Sequence, residues 1–366
     1  MLPTMATPPD DNLTPLRRRI DELDEQIITL LSERAKIVVD VGEAKRGSNT
    51  PIYAPHRERA VLDRIAQLND GPLSNHTLES IYRELMSGSF ALEQSLRIGF
   101  LGPPGSFSHL AAVRHFGRSV EFTEFENIEP VFSAIEHGHC DYGLVPYENS
   151  TGGSITDTLD AFHEHNVHVY AEALIGINHC LLSNAPREHI TRIVSRPEVF
   201  SQCAKWLGRH FPEAQHVNMT STSLAVQSIV ESDDAAAIGS ELAGTLYGAN
   251  MVYDCIQDKP NNVTRFLIIA LQHAEPSGTD KTSISFVTNH QPGALVDVLA
   301  VFRDAGVNLS HIDKRPSGRE NWQYMFYIDA DAHADEPAMH AAIETAKGLC
   351  QDFRVLGSYP RAEQVL

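Results

Sequence analysis

The 366-residue sequence predicts three consecutive domains: an all-helical domain, an α/β domain and a ferredoxin-like α+β domain. Three observations predict this order. Apolar residues first recur at helical spacing, then short apolar strands alternate with helices, and the last segment runs strand, helix, strand, strand, helix, strand. We place the domain boundaries at 1–95, 96–275 and 280–366.

The first helix carries an apolar stripe that starts at Leu16 and continues through Ile27 to Val41 in steps of three or four residues. We expect this helix to have about 30 residues and a length of about 45 Å. Two shorter helices follow, at 55–68 and 75–94. Because two short helices cannot cover so long a stripe, we expect a second copy of the chain to supply another long helix, and so at least a homodimer.

Two cations, Arg34 and Lys45, lie on the same stripe as the apolar residues. Charged groups on a buried face are costly unless they are paired. One interpretation pairs them with acidic residues of their own helix. The other is a small ligand with two carboxylates, and three further residues favour it: Arg17 on the same helix, and Arg57 beside Glu58 at the start of the second helix.

Composition excludes several classes of partner. The net charge of -19 argues against binding to nucleic acid or to an anionic membrane. No apolar run is long enough to span a bilayer, and the first residues lack the apolar core of a signal peptide. The five cysteines are scattered without CxxC spacing, so we expect a cytoplasmic protein with free thiols and no metal site.

The segments "LRRRIDELDEQIITLLSERAKIVVDVGEAK", "HRER" and "IYRELMSGSFALEQ" resemble the all-helical chorismate mutase domain. Members of that family are intertwined dimers that rearrange chorismate, a dianion, to prephenate. The resemblance implies that substrate is bound by Arg17 of one chain with Arg34, Arg57 and Ser89 of the other. It implies that Lys45, Glu58 and Glu93 act on the reacting groups.

In this resemblance Lys45 bridges a carboxylate and the ether oxygen, and Glu58 holds the ring hydroxyl. Preorganised donors at the ether oxygen stabilise the negative charge that develops there. The chain departs from the family pattern at Ala54, where the family has an acid, and at Glu93, where some members have glutamine. Because a carboxylic acid can donate a hydrogen bond and a carboxylate cannot, we expect mutase activity to rise toward mildly acidic pH.

The middle segment contains a polar glycine turn, "VPYENSTGGSITDTL", in which Ser154 and Asp157 predict a capping box. Backbone N–H groups at such a turn suit a carboxylate. The stretch "NNVTRFLII" opens an apolar strand with a Thr–Arg pair. Ordinary loop and edge-strand chemistry accounts for each motif alone. Six motifs that follow one another in the family order, however, together resemble prephenate dehydratase: "GPPGSFS", "VPYENSTGGS", "SRPEVFSQC", "STS", "GSELAGTLYG" and "TRF".

That resemblance implies a two-lobed fold like a periplasmic binding protein, with the site in the cleft and no metal or cofactor. The reaction expels carbon dioxide and water from prephenate to give phenylpyruvate. Thr264 would donate to the leaving hydroxyl, Arg265 would hold a carboxylate and Phe266 would form an apolar wall, while Glu148 ranks below Thr264 as an acid. The other residues implied to line the cleft are Asn149, Ser150, Thr151, Ser195 and Gln202.

The C-terminal segment "PGALVDVLAVFRDAGVNLSHIDKRPS" resembles an ACT regulatory domain. A ferredoxin-like unit alone establishes no function, and a dimerisation module without a ligand is the alternative. The resemblance implies that phenylalanine binds at Gly293, Ala294, Leu295, Asp313, Arg315 and Pro316. Lys314 replaces the serine of the family motif, which leaves the strength of inhibition open.

Together the resemblances imply a cofactor-free enzyme that acts on chorismate and prephenate and is inhibited by L-phenylalanine. Two alternatives stay open. One is a binding protein with a cleft for an aromatic acid and inactive appendages. The other is an enzyme that prefers arogenate, in which an amine replaces the keto group of prephenate.

Overall fold

A computed structural model describes residues 13–45, 51–316 and 323–366. The predicted sequence of fold classes is confirmed: helices, then a two-lobed α/β domain, then a ferredoxin-like unit. The predicted break "RGSNTPIYAP" lies partly outside the described residues. We call the three parts the N-terminal, middle and C-terminal domains.

The N-terminal domain contains three helices, α1 (Leu13–Lys45), α2 (Pro55–Leu68) and α3 (Asn75–Glu93). The C-terminal part of α1 packs closely on α3, since Gly42 is buried and a Cβ there would lie 3.1 Å from the Cα of Glu93. Helix α3 begins where the hydroxyl of Ser74 accepts a hydrogen bond from the Thr77 N–H. This packing brings the end of α1 against the end of α3.

The first half of the α1 stripe is uncovered in the single chain. Leu16, Ile20, Leu23 and Ile27 are 61, 56, 42 and 52% exposed. A continuous apolar stripe of this length in water marks an interaction surface.

The middle domain begins with lobe 1 and crosses to lobe 2. Lobe 1 contains β1 (Arg97–Leu101), α4 (Phe107–Phe116), β2 (Glu121–Phe125), α5 (Ile128–Glu136), β3 (Tyr142–Asn149), β4 (Gly153–Ser154), α6 (Thr156–Glu164) and β5 (His168–Gly176). Lobe 2 contains β6 (Cys180–Leu182), β7 (Arg192–Ser195), α7 (Pro197–Gln202), α8 (Ala204–His210), β8 (Gln215–Asn218), α9 (Thr222–Ser228), β9 (Ala235–Gly239), α10 (Glu241–Tyr247) and β10 (Met251–Tyr253). The chain then returns to lobe 1 as β11 (Val263–Ala270).

Each lobe has its own sheet. The strand order is β2-β1-β3-β11-β5 in lobe 1, with β4 paired to β3, and β10-β6-β9-β7-β8 in lobe 2. Strand β11 lies antiparallel between β3 and β5, so its residues are buried on both sides. The predicted capping box is wrong: α6 begins after Ile155, which makes no side-chain cap, and Ser154 belongs to β4.

The C-terminal domain contains β12 (Asp280–Thr288), α11 (Ala294–Asp304), β13 (Leu309–Pro316), β14 (Tyr324–Ala330), α12 (Pro337–Lys347) and β15 (Cys350–Pro360). Its antiparallel sheet has the order β13-β14-β12-β15. Strand β15 lies against β5 of the middle domain, where Gly357 approaches the backbone of Val169 too closely for any side chain. No helix among the described residues is long and apolar enough to cross a membrane.

A tyrosine joins the N-terminal domain to lobe 1. Tyr53 is 1% exposed, and its carbonyl accepts hydrogen bonds from the hydroxyls of Tyr142 and Tyr170 at 3.3 and 2.8 Å. Its own hydroxyl lies 2.7 Å from Nε2 of His115. Tyr53, two residues before α2, is therefore anchored in the core of the next domain.

Gly357→Ala is expected to destabilise the contact between the C-terminal and middle domains. The added Cβ would overlap the Val169 carbonyl oxygen, and overpacking of this kind costs about 1–3 kcal/mol. Thermal unfolding of the purified chain measures the effect. Gly208→Ala is the control, because it adds a methyl group into open space on α8 and should leave the melting temperature equal or slightly higher. Equal melting temperatures for both variants would contradict this view of the contact.

Candidate active sites

The two inward cations of α1 face polar side chains of α3. Arg34 Nη1 donates to Ser89 Oγ at 2.8 Å, and Lys45 Nζ lies 3.0 Å from Glu93 Oε2. Ser89 and Glu93 are one turn apart on α3, so they present their polar atoms on one face. The acidic partner of Lys45 is thus on another helix. Within the described ranges, no carboxylate lies in ion-pair contact with Arg34, whose charge suits an anionic ligand.

Glu58, expected to hold the ring hydroxyl of the substrate, forms an ion pair with an arginine of α3. Arg83 Nη1 is 3.2 Å from Glu58 Oε1, and both side chains line a cavity between the N-terminal and middle domains together with Tyr53 and His115. Burial raises the pKa of Glu58, and the nearby charge of Arg83 opposes that rise. Helix α2 therefore directs Glu58 toward the middle domain.

Arg17 and Arg57 are exposed in the single chain, and no hydrogen bond or ion pair among the described residues joins them to the other predicted mutase residues. Arg17 precedes Arg34 by 17 residues, which corresponds to about 25 Å along a helix. A molecule of the size of chorismate cannot bridge that distance. If Arg17 binds the same substrate as Arg34, it must come from another chain.

Polar residues of the middle domain form a network where β3 and β11 end side by side. Asn149 and Thr264 are cross-strand partners, and Asn149 Nδ2 donates to Thr264 Oγ1 and to Asn262 Oδ1, both at 2.8 Å. The amide and hydroxyl of Thr151 donate to Asn149 Oδ1 at 2.9 and 2.7 Å. The Ser150 hydroxyl oxygen accepts a hydrogen bond from the Val263 N–H, which completes the network. Because Thr264 Oγ1 accepts from Asn149, its own proton can be donated to a substrate oxygen.

The two lobes are held together by hydrogen bonds to the "GPPGSFS" loop. The carbonyl of Pro104 accepts from the hydroxyls of Ser223 and Tyr247, the latter at 3.0 Å, and the carbonyl of Gly105 accepts from Ser240 Oγ at 2.6 Å. The serines and the tyrosine belong to the "STS" and "GSELAGTLYG" motifs. These motifs therefore join the lobes in the described conformation.

Three residues predicted to line the cleft are buried or already bonded to other protein groups. Ser195 is fully buried and its hydroxyl donates to the Ile238 carbonyl at 2.9 Å. Phe266 is 1% exposed within the core of lobe 1, where it cannot form a wall of an open site. The Oε1 of Gln202 lies 2.7 Å from Nε2 of His179, so this amide oxygen is already paired.

Arg265 is directed away from Thr264, and the expectation that it holds a substrate carboxylate is not supported. Successive residues of a strand point to opposite faces. Arg265 Nε donates to Glu172 at 2.6 Å, Nη1 to Asp329 at 2.5 Å and Nη2 to the Tyr359 hydroxyl at 2.9 Å. Its guanidinium also lies 4.9 Å from the ring centre of Tyr147. These partners occupy the donors that a substrate would need.

The acids around Arg265 are completely buried, with no side-chain exposure for Glu172 or Asp329. Burial alone would raise the pKa of Asp329, but the positive charge of Arg265 and a hydrogen bond from Ser283 hold it below its usual range. Sequence reasoning missed both acids. Each is a lone carboxylate within an apolar strand, "HVYAEALIG" and "YMFYIDA", and such a residue requires a buried partner.

The residues predicted to bind phenylalanine lie in two places. Gly293 has a left-handed φ of 85° and precedes α11, and Ala294 and Leu295 open that helix. On β13 the inward-facing positions include Asp313 and Arg315, whereas Pro316 is exposed. Arg315 Nε donates to Asp160 Oδ1 on α6 at 2.8 Å. Arg315 therefore contacts the middle domain, and its predicted role in binding phenylalanine stays a prediction.

Comparison with known proteins matches each domain to a family. The family model for chorismate mutase type II matches residues 16–94, that for prephenate dehydratase matches 98–274, and that for the ACT domain matches 282–347. The chain is 40% identical to the bifunctional chorismate mutase/prephenate dehydratase of Pseudomonas aeruginosa over 96% of this chain and 98% of that protein. It is 32% identical to the Escherichia coli K12 protein of the same description, over 96% and 97% of the two chains.

A solved relative has the same fold in the middle and C-terminal domains. The prephenate dehydratase of Arthrobacter aurescens, crystallised in complex with L-Phe, covers 74% of this chain and 92% of its own, with 32% identity and a TM-score of 0.69. Fold, motifs and matches define an enzyme that combines an isomerase and a lyase with a regulatory domain. The chain belongs to the family of bifunctional chorismate mutase/prephenate dehydratases, so the resemblance found in the sequence is confirmed.

Glu93→Gln is expected to raise the rate of the mutase reaction, because a glutamine amide can donate a hydrogen bond to the ether oxygen and a carboxylate cannot. Initial rates of chorismate consumption measure the effect. Glu43→Gln, on an exposed position of α1, should keep the wild-type rate. Identical rates for wild type and Glu93→Gln would refute the role of Glu93.

Proposed function

We propose that residues 1–95 rearrange chorismate to prephenate, residues 96–275 convert prephenate to phenylpyruvate, and residues 280–366 bind L-phenylalanine and inhibit the second reaction. The observation that carries this proposal is the order of the three family matches along one chain. The reactions need no cofactor, and the proposal places them in the cytoplasm.

In the mutase reaction, Arg34 and Ser89 hold one substrate carboxylate, and Arg17 of a second chain holds the other. Lys45 donates to the ether oxygen, which becomes negative as its bond to the ring carbon breaks, and Glu93 donates there only in its carboxylic acid form. Holding the enolpyruvyl arm over the ring supplies the orientation. Glu58 holds the ring hydroxyl once its ion pair with Arg83 opens, and Arg57 assists in binding the carboxylates.

In the dehydratase reaction, Thr264 donates its proton to the C4 hydroxyl, which leaves as water. The C1–carboxylate bond breaks to release carbon dioxide, and its electron pair completes the aromatic ring. A threonine is a weak acid, so Thr264 acts through a short hydrogen bond or a proton relay. The backbone N–H groups around Ser150 and Thr151 suit a substrate carboxylate.

Inhibition by L-phenylalanine is supported by the related Arthrobacter aurescens protein, which was crystallised with that amino acid. Gly293 allows close approach of a ligand to the backbone before α11, and Asp313 supplies a carboxylate for an amino group. An assay in which prephenate and arogenate compete for the enzyme shows which substrate the dehydratase prefers.

Incubation of the purified chain with chorismate alone tests the proposed function. Prephenate and phenylpyruvate are quantified over time, with and without L-phenylalanine. Phenylpyruvate formed without added cofactor and suppressed by phenylalanine is the expected result. Prephenate that accumulates without further reaction would leave only the mutase, and unconsumed chorismate would favour a binding protein.

Thr264→Ala is expected to lower the dehydratase kcat by about a hundredfold, because the proton donor is lost. Thr264→Ser keeps a hydroxyl and should retain most of the activity. Thr245→Ala on α10 is the matched control, since its hydroxyl donates only to the Glu241 carbonyl of its own helix. Mutase activity, measured on the same samples, should be unchanged in all three. Full dehydratase activity in Thr264→Ala would remove Thr264 from the mechanism.

Mixing Arg17→Ala with Lys45→Ala chains is expected to restore mutase activity, since the exposed stripe of α1 and the distance of Arg17 from Arg34 point to a site shared between chains. After the chains are mixed and re-formed, half the dimers are mixed, and one of the two sites in each is intact. About a quarter of wild-type activity should therefore return. If both residues act within one chain, no activity will return.

A further inference from the structure

The strand pair that carries Thr264 and Asn149 also carries the contact between the middle and C-terminal domains. Thr264 pairs with Asn149 across β11 and β3, and the adjacent cross-strand pair is Arg265 with Glu148. Because side chains alternate along a strand, the two pairs lie on opposite faces. One face holds the polar network of the proposed dehydratase site, and the other faces the C-terminal domain.

The C-terminal domain contacts both members of the second pair. Asp329 of β14 accepts from Arg265 Nη1, and Nδ1 of His311 on β13 lies 3.5 Å from Glu148 Oε2. His311 and Asp329 are themselves cross-strand partners. The domain therefore contacts the chain immediately beside Thr264 and immediately beside Asn149.

The contact at Arg265 is built from three strands of the C-terminal sheet. Asp329 lies on β14, Ser283 on β12 and Tyr359 on β15, and Ser283 Oγ lies 2.5 Å from Asp329 Oδ1 and 2.6 Å from the Tyr359 hydroxyl. On the other side Glu172 is held by Arg265 and by Lys281 Nζ at 3.2 Å. The charges of two cations and two carboxylates cancel within this buried cluster. Its hydrogen bonds therefore fix its geometry tightly.

We propose that Arg265 is a positioning residue through which the C-terminal domain fixes Thr264 against Asn149, and that it does not bind substrate. This inference rests on the proposed role of Thr264 as proton donor. Fixed placement of Arg265 holds the register and orientation of the adjacent backbone, and a displacement of about 1 Å at a reacting group costs on the order of a hundredfold in rate. Asp313 lies two residues beyond His311 on β13, so a ligand bound there would act on the same contact.

The test measures dehydratase kcat and KM for prephenate in Asp329→Asn and Tyr359→Phe. Neither residue belongs to the middle domain, and both contact Arg265 in the buried cluster. We expect kcat to fall by about tenfold or more in Asp329→Asn and by a few-fold in Tyr359→Phe, with KM within about twofold of wild type. Asp331→Asn is the control, because Asp331 contacts Asn308 and Ser310 of its own domain and does not contact Arg265.

Circular dichroism and thermal unfolding of the same samples show whether each variant is folded. If Asp329→Asn unfolds, the milder Tyr359→Phe decides the question. A wild-type kcat in the folded variants, or a raised KM with an unchanged kcat, would overturn the inference. The Thr264→Ala variant distinguishes failure of this inference from failure of the proposed function. If Thr264→Ala is inactive and Tyr359→Phe is fully active, only the positioning role of Arg265 is refuted. If Thr264→Ala is active, both the assignment of Thr264 as proton donor and the inference built on it are refuted.

Discussion

The buried ion pair of Arg265 with Glu172 and Asp329 determines how the C-terminal domain sits on the middle domain. A guanidinium that is 8% exposed is stable only when its charge and its donors are satisfied. Its partners come from β5 of one domain and β14 of the next, so the pair forms only when the two domains are in place. Removal of one member of a buried pair costs about 3–5 kcal/mol.

The same constraint governs the N-terminal domain. Arg34 and Lys45 are directed inward by the helical period, and α3 supplies Ser89 and Glu93 to meet them. The ion pair between Lys45 and Glu93 joins the end of α1 to the end of α3. In the N-terminal domain and at Arg265, charged side chains are thus held by residues distant in sequence.

Much of the fold could be predicted from local patterns. Helix α2 has the predicted bounds because Pro55 begins it and the apolar period ends at Leu68. The placement of Arg265 and Glu58 could not be predicted in this way. Arg265 lies 93 and 64 residues from its two acids, and Glu58 lies 25 residues from Arg83, so their partners depend on tertiary packing.

We infer that the C-terminal domain holds β11 in place through Arg265. Amide hydrogen exchange of residues 263–266, compared between wild type and Tyr359→Phe, measures this effect. Faster exchange at these amides in the variant, with unchanged exchange in α1 and α3, is the predicted result. Equal protection of β11 in both proteins would contradict the claim and leave the ion cluster as a contact between domains without influence on the site.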